Sequence, residues 1–80
     1  MHEMTLAEGI LKIAVDYAEK NKSPRVTKIG LLIGEMSYVE MDALNFSFEI
    51  MSRNTVAEGA QLVVKKIPGR SLRVEYLDMD

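Results

Sequence analysis

A histidine stands second in this chain, one residue from the α-amine of Met1. The amine nitrogen, the His2 backbone nitrogen and the imidazole Nδ1 can together close two chelate rings on one metal ion. Nickel(II) and copper(II) favour square-planar nitrogen sites, and imidazole suits both. The ion can drive off a backbone amide proton, which turns that nitrogen into an anionic ligand. The amide or the carboxylate of Glu3 can fill a fourth position. Met1, His2 and Glu3 are therefore the candidate metal residues. The bland alternative is a mobile terminal side chain with no role, and residue chemistry alone does not choose between the two.

Other chemistry is poorly supplied. His2 is the one histidine, so no nucleophile, base and orienter can be assembled around a second. Gly30 and Gly34 belong to neither GxxxxGK[ST] nor GxGxxG, so no phosphate loop is encoded. The twelve Asp and Glu residues are spread along the chain and read as solvated surface charge. The methionines Met4, Met36, Met41, Met51 and Met79 follow no ligand spacing and read as core gap-fillers. The chain is expected not to be an enzyme.

The bulk numbers agree with a small soluble globular domain. Eighty residues make one domain, and a chain this short buries only about 60–65% of its unfolded surface. A formal net charge of -2, with ten Lys and Arg in no block, argues against nucleic acid as a partner. No cysteine is present, so neither a disulfide nor a thiolate metal site is available. No apolar run approaches the roughly 20 residues of a membrane helix. The amino terminus lacks the basic and apolar regions of a signal peptide. A cytoplasmic location without membrane contact is expected.

The elements that must position the amino terminus follow from periodicity. Thr5 to about Asn21 reads as a helix opened by the capping box Thr5-Leu6-Ala7-Glu8. Leu6, Ile10, Ile13, Ala14 and Tyr17 form its apolar stripe, and Asn21-Lys22-Ser23-Pro24 stops it. The positive end of that helix disfavours a bare cation but favours deprotonated backbone nitrogens. A metal there is expected to bind with moderate affinity, as suits a carrier.

Val26 to Ile33 reads as a strand whose Ile29, Leu31 and Ile33 face the helices. A second helix is expected from about Glu40 to Arg53, with Leu44, Phe48 and Met51 on one face and Ala43, Phe46 and Ile50 broadening it. Asn54 suits a left-handed cap, and Thr55-Val56-Ala57-Glu58 suits a single turn. Gln61–Ile67 and Leu72–Leu77 read as strands joined by Pro68-Gly69-Arg70, so a hairpin is expected. Leu72, Val74 and Tyr76 should share its buried face. The fold class is α+β, in the order α-β-α-β-β: two helices on one face of a three-stranded, mixed sheet.

Several segments together resemble the HypA/HybF hydrogenase nickel-incorporation proteins. MHEMTLAEGILKIAVDYAEKN is similar to that family's MHE start and first helix. RVTKIGLLIGEMSYVEMDALNFSFEIM resembles its first strand, its IGE-x-S-x-V connection and its L-x-F-x-F second helix. NTVAEGAQLVV resembles its GT-x-AEGA-x-L segment, with Asn54 in place of a glycine. IPGR resembles the lead into its zinc module. The resemblance covers the chain almost end to end.

It implies a nickel(II) metallochaperone domain, the ligands being His2 with the backbone nitrogens of Met1 and Glu3. It implies delivery to the large subunit of nickel-iron hydrogenase, with urease as a second recipient in some organisms, and a maturation GTPase as partner. The family's zinc module, with its two CxxC pairs, is absent between about Arg70 and Ser71, so no zinc is expected. The alternative is a protein-interaction module docking on the GTPase or hydrogenase without metal traffic of its own. The open edges of a three-stranded sheet also permit a homodimer.

Overall fold

The sheet is organised around its most apolar strand. In this computed structural model, which describes residues 2–80, α1 (Glu3–Lys20) is followed by β1 (Val26–Gly34), a 3-10 turn (Glu35–Ser37), α2 (Met41–Met51), β2 (Gln61–Ile67) and β3 (Leu72–Met79). The expected class and element order hold. The strand order is β2-β1-β3, with β2 parallel and β3 antiparallel to β1. The sheet is therefore mixed.

Burial explains why β1 is central. Leu31-Leu32-Ile33 is apolar on both faces, and such a run belongs in a strand covered on both sides and at both edges. Ile29, Leu31 and Ile33 are buried against Ala7, Ile10, Ala14 and Ala18 of α1 and Leu44 and Phe48 of α2. Leu62 and Val64 of β2 and Leu72, Val74, Leu77 and Met79 of β3 extend the same core. Withdrawing each large apolar side chain fully from water contributes about 1.5–3 kcal/mol.

The expected hairpin is not formed. β2 and β3 lie on opposite sides of β1, and the link between them passes over the carboxyl end of that strand. Gly34 N donates to Ser71 O at 2.7 Å, and Met36 N donates to Gly69 O at 2.8 Å. Gly69 turns the chain with φ of 87°. A Cβ on Gly34 would lie 2.3 Å from Gly69 O, so only glycine lets the link pass. Pro68-Gly69-Arg70 does encode a bend. Which strand β3 then joins is decided by the unpaired backbone edge of β1 and the apolar residues beside it, a tertiary preference the bend does not carry.

Two apolar stripes are also rotated from expectation. On α1 the buried positions are Ala7, Ile10, Ala14 and Ala18, while Ile13 and Tyr17 are partly exposed. Small residues win that face because α1 packs closely against α2 and the sheet. On β3 a bulge at Glu75 shifts the alternation between Val74 and Tyr76. Leu77 and Met79 then face the core, and the Tyr76 ring lies across Gly30 on the opposite face. On α2, Phe46 and Ile50 are exposed and do not broaden the buried face. Met41, Met51 and Met79 fill gaps at the core margin, whereas Met4 and Met36 lie largely in solvent.

The helix ends follow local chemistry. Lys22, with φ of 53°, closes α1 in a Schellman arrangement: Ser23 N donates to Ala18 O and Lys22 N to Glu19 O. Asn54 is left-handed as expected, with φ of 65°, but lies in the turns beyond α2. Residues 55–58 form the expected turn, and it latches onto the sheet through Val26 N, which donates to Val56 O at 2.8 Å.

Candidate metal centre at the amino terminus

The first helix begins earlier than the capping box suggested. His2 is the N-cap of α1, with φ -85° and ψ 96°, and Leu6 N donates to His2 O at 3.1 Å. Thr5 lies inside the helix, so the Thr5–Glu8 box is not used. The reason is electrostatic as well as geometric: Glu3 puts a carboxylate in the first turn, where the helix end is positive.

This shift sharpens the candidate site. The first four N–H groups of an α-helix have no intrahelical acceptor. The nitrogens of His2 and Glu3 are among them. Either can give up its proton to a metal without breaking a helical hydrogen bond. The His2 side chain is exposed and makes no capping hydrogen bond. Met1, the remaining candidate, lies outside the described residues. Among the described residues no three His, Cys, Asp or Glu side chains converge.

Glu3 has a second engagement that its spacing does not reveal. Its Oε2 accepts from Glu40 N at 2.9 Å, across 37 residues of sequence. Glu40 is the N-cap of α2, and its own Oε1 accepts from Asp42 N at 3.0 Å. One carboxylate thus ties the start of α1 to the start of α2. The Glu40 amide is the first cause that holds the Glu3 carboxyl below its usual 4.5, and its own amide is the second. Glu40 was read only as a helix start; its role beside the site depends on a tertiary contact that no local pattern announces.

The sign of the resulting pH dependence follows. A carboxyl lowered on folding stabilises the fold above its unfolded pKa, and that contribution disappears as pH falls through the folded value. The Glu40 amide resonance should therefore titrate with a midpoint below that of an ordinary glutamate, and Glu3→Gln should abolish the transition. A midpoint at 4.5 or above would remove the assigned bond.

A groove of about 400 Å³ runs from His2 between α1 and β3, lined by Leu6, Ile10, Ile13, Leu72 and Val74. No helix of the described residues is long and apolar enough to cross a membrane.

A family profile described as hydrogenase/urease nickel incorporation, metallochaperone, hypA matches residues 1–72. The chain belongs to the HypA family. It is 45% identical over 65 residues to the hydrogenase maturation factor HypA of Caldanaerobacter subterraneus subsp. tengcongensis, covering 81% of this chain and 57% of that protein. It is 45% identical over 69 residues to the factor of the same name from Albidiferax ferrireducens, covering 86% and 61%. The chain thus spans about three fifths of the length of these HypA relatives. The solution structure of the Ni metallochaperone HypA from Helicobacter pylori superposes with a TM-score of 0.79 at 14% identity, over 99% of this chain and 97% of that one. At that identity the likeness concerns the fold, and it independently supports the α-β-α-β-β arrangement.

Proposed function

We propose that this chain is a nickel(II) carrier for the maturation of nickel-iron hydrogenase, and that it holds its cargo at Met1-His2-Glu3. The observation that carries the reading is the placement of His2 at the N-cap of α1. There an exposed imidazole adjoins two backbone nitrogens that owe no hydrogen bond to the helix. Membership of a nickel-incorporation family supports nickel rather than copper for that donor set.

In this reading the ligands are the imidazole and backbone nitrogen of His2, the Met1 amine and the Glu3 amide. The Glu3 carboxylate serves as a strut to α2, since it already accepts from Glu40 N. The positive end of α1 opposes a bare dication and favours the deprotonated amides, so the ion is held firmly enough to carry and loosely enough to pass on. The chain performs no catalysis. Its partners are the hydrogenase large subunit as recipient and a maturation GTPase, in the cytoplasm. Zinc is assigned no site, because these residues include no cysteine.

Nickel calorimetry tests the amine directly. The chain with Met1 at its free terminus should take up one nickel ion. The same chain carrying one additional residue before Met1 should bind far more weakly, because the amine is displaced and the chelate ring opens. Equal affinity in the two chains would remove Met1 from the ligand set.

A further inference from the structure

The two edges of the sheet are differently guarded. β2 carries Lys65 and Lys66, and lysines along an edge oppose the addition of another strand. β3 carries no lysine; its charges are Arg73, Glu75 and Asp78. Its strand hydrogen bonds run to β1, which leaves its other side open. Beside it the apolar groove from His2 continues past Ile13, Tyr17, Leu72 and Met79.

The order of residues in β3 is complementary to itself in reverse. In an antiparallel pair about a two-fold axis between Glu75 and Tyr76, Leu72 faces the partner's Met79. Arg73 then faces the partner's Asp78, and Val74 the partner's Leu77. Directly opposed residues of an antiparallel pair lie on the same face of the sheet. The register with β1 puts Leu72, Val74, Leu77 and Met79 on the helix face, opposite Ile33, Leu31, Ile29 and Val26. It puts Arg73 and Asp78 on the other face, opposite Leu32 and Lys28. Every one of those pairings therefore matches face with face, and the bulge at Glu75 falls on the axis. A shift of the axis by half a residue sets Val74 against the partner's Tyr76 or Asp78 and mixes the faces.

We propose that a second copy of this chain docks on β3, making a two-fold dimer with one continuous sheet, β2-β1-β3-β3-β1-β2. The apolar rows of the two cores join under the helices. On the outer face Asp78 stands between Lys28 of its own chain and the partner's Arg73. Stable complexes bury roughly 1,200 Å² or more, beyond what a strand edge offers alone. Ile13 and Tyr17, 38% and 50% exposed, flank the groove on the β3 side and enlarge the contact. The same register brings the partner's Met79 beside Leu72, which lines the groove that opens at His2.

Charge exchange tests it. By sedimentation from about 1 µM to about 1 mM, the chain should rise toward twice its 9.0 kDa. Arg73→Asp sets Asp against Asp across the axis, and Asp78→Arg sets Arg against Arg. Each variant alone should dimerise about tenfold or more weakly, and an equimolar mixture of the two should restore the dimer, since each Asp then faces an Arg. In a mixed isotope-labelled sample of the unsubstituted chain, which needs no variant to fold, Val74 should contact the partner's Leu77. A monomer up to the highest concentration, a mixture no tighter than its components, or intermolecular contacts centred on β2 would overturn the proposal.

Discussion

Replacing His2 by Ala should cost this chain most of its nickel affinity while leaving the fold untouched. The imidazole is the one side chain in the proposed ligand set. Losing a group that only supports a ligand reduces metal affinity by about 10–100-fold, so losing the ligand itself should exceed that. The fold should tolerate the change, because His2 is exposed and its side chain makes no capping hydrogen bond. Its backbone carbonyl, which accepts from Leu6 N, is kept in the variant. Calorimetry should thus show a large loss of binding beside an unchanged thermal midpoint. Equal nickel affinity in the two chains would remove the amino terminus as the site. In the unsubstituted chain, apparent affinity should rise with pH, because the amide ligands bind metal only after losing their protons.

Glu3 links the proposed site to α2. Its carboxylate reaches Glu40 N at the start of α2, so the two helix N-termini share one acceptor. Glu3→Ala should leave the Glu3 backbone nitrogen available yet loosen the end of α1 that orients it. The contrast with His2→Ala separates a donor from a strut.

How much of this was legible depends on the range of the interaction concerned. The first strand, expected over Val26 to Ile33 and one residue longer in the fold, the stop at Asn21-Lys22-Ser23-Pro24 and the left-handed Asn54 are set by neighbours a few residues away, and local pattern found them. The strand order was not local. A bend at Pro68-Gly69-Arg70 is compatible with a hairpin or with a crossover. The choice fell to β1, which pairs through its backbone with β2 on one edge and β3 on the other. The Glu75 bulge was hidden for the same reason, because it exists only relative to Gly30 and Leu31 on another strand. At the proposed site, His2 and Glu3 were candidates from their position in the sequence. The placement of His2 as N-cap was not visible there, because Thr5-Leu6-Ala7-Glu8 offers a plausible start that the chain passes over. The bond from Glu3 to Glu40 spans the whole of α1 and β1 and was beyond any local rule.

The phenylalanines of α2 turn that difference into a measurement. Phe46 and Phe48 are two residues apart, and periodicity assigned both to the buried face. In the fold Phe48 is 3% exposed in the cluster with Leu44 and Ile29, while Phe46 is 64% exposed. Truncating a buried Phe to Ala costs about 3–5 kcal/mol, from lost transfer energy and the cavity left behind. A surface substitution of the same kind usually stays within about 0.5 kcal/mol. A domain of this size holds only about 4–12 kcal/mol in total, at roughly 0.05–0.15 kcal/mol per residue. Phe48→Ala should therefore remove a large share of the stability and lower the thermal midpoint by more than about 12 °C, at about 4 °C or more per kcal/mol. Phe46→Ala should shift it by no more than a few degrees. Similar losses in the two variants would mean that α2 presents a different face to the sheet. The N-cap at Glu40, and with it the acceptor arrangement that anchors Glu3, would then have to be redrawn, since helix phase and cap position are fixed together.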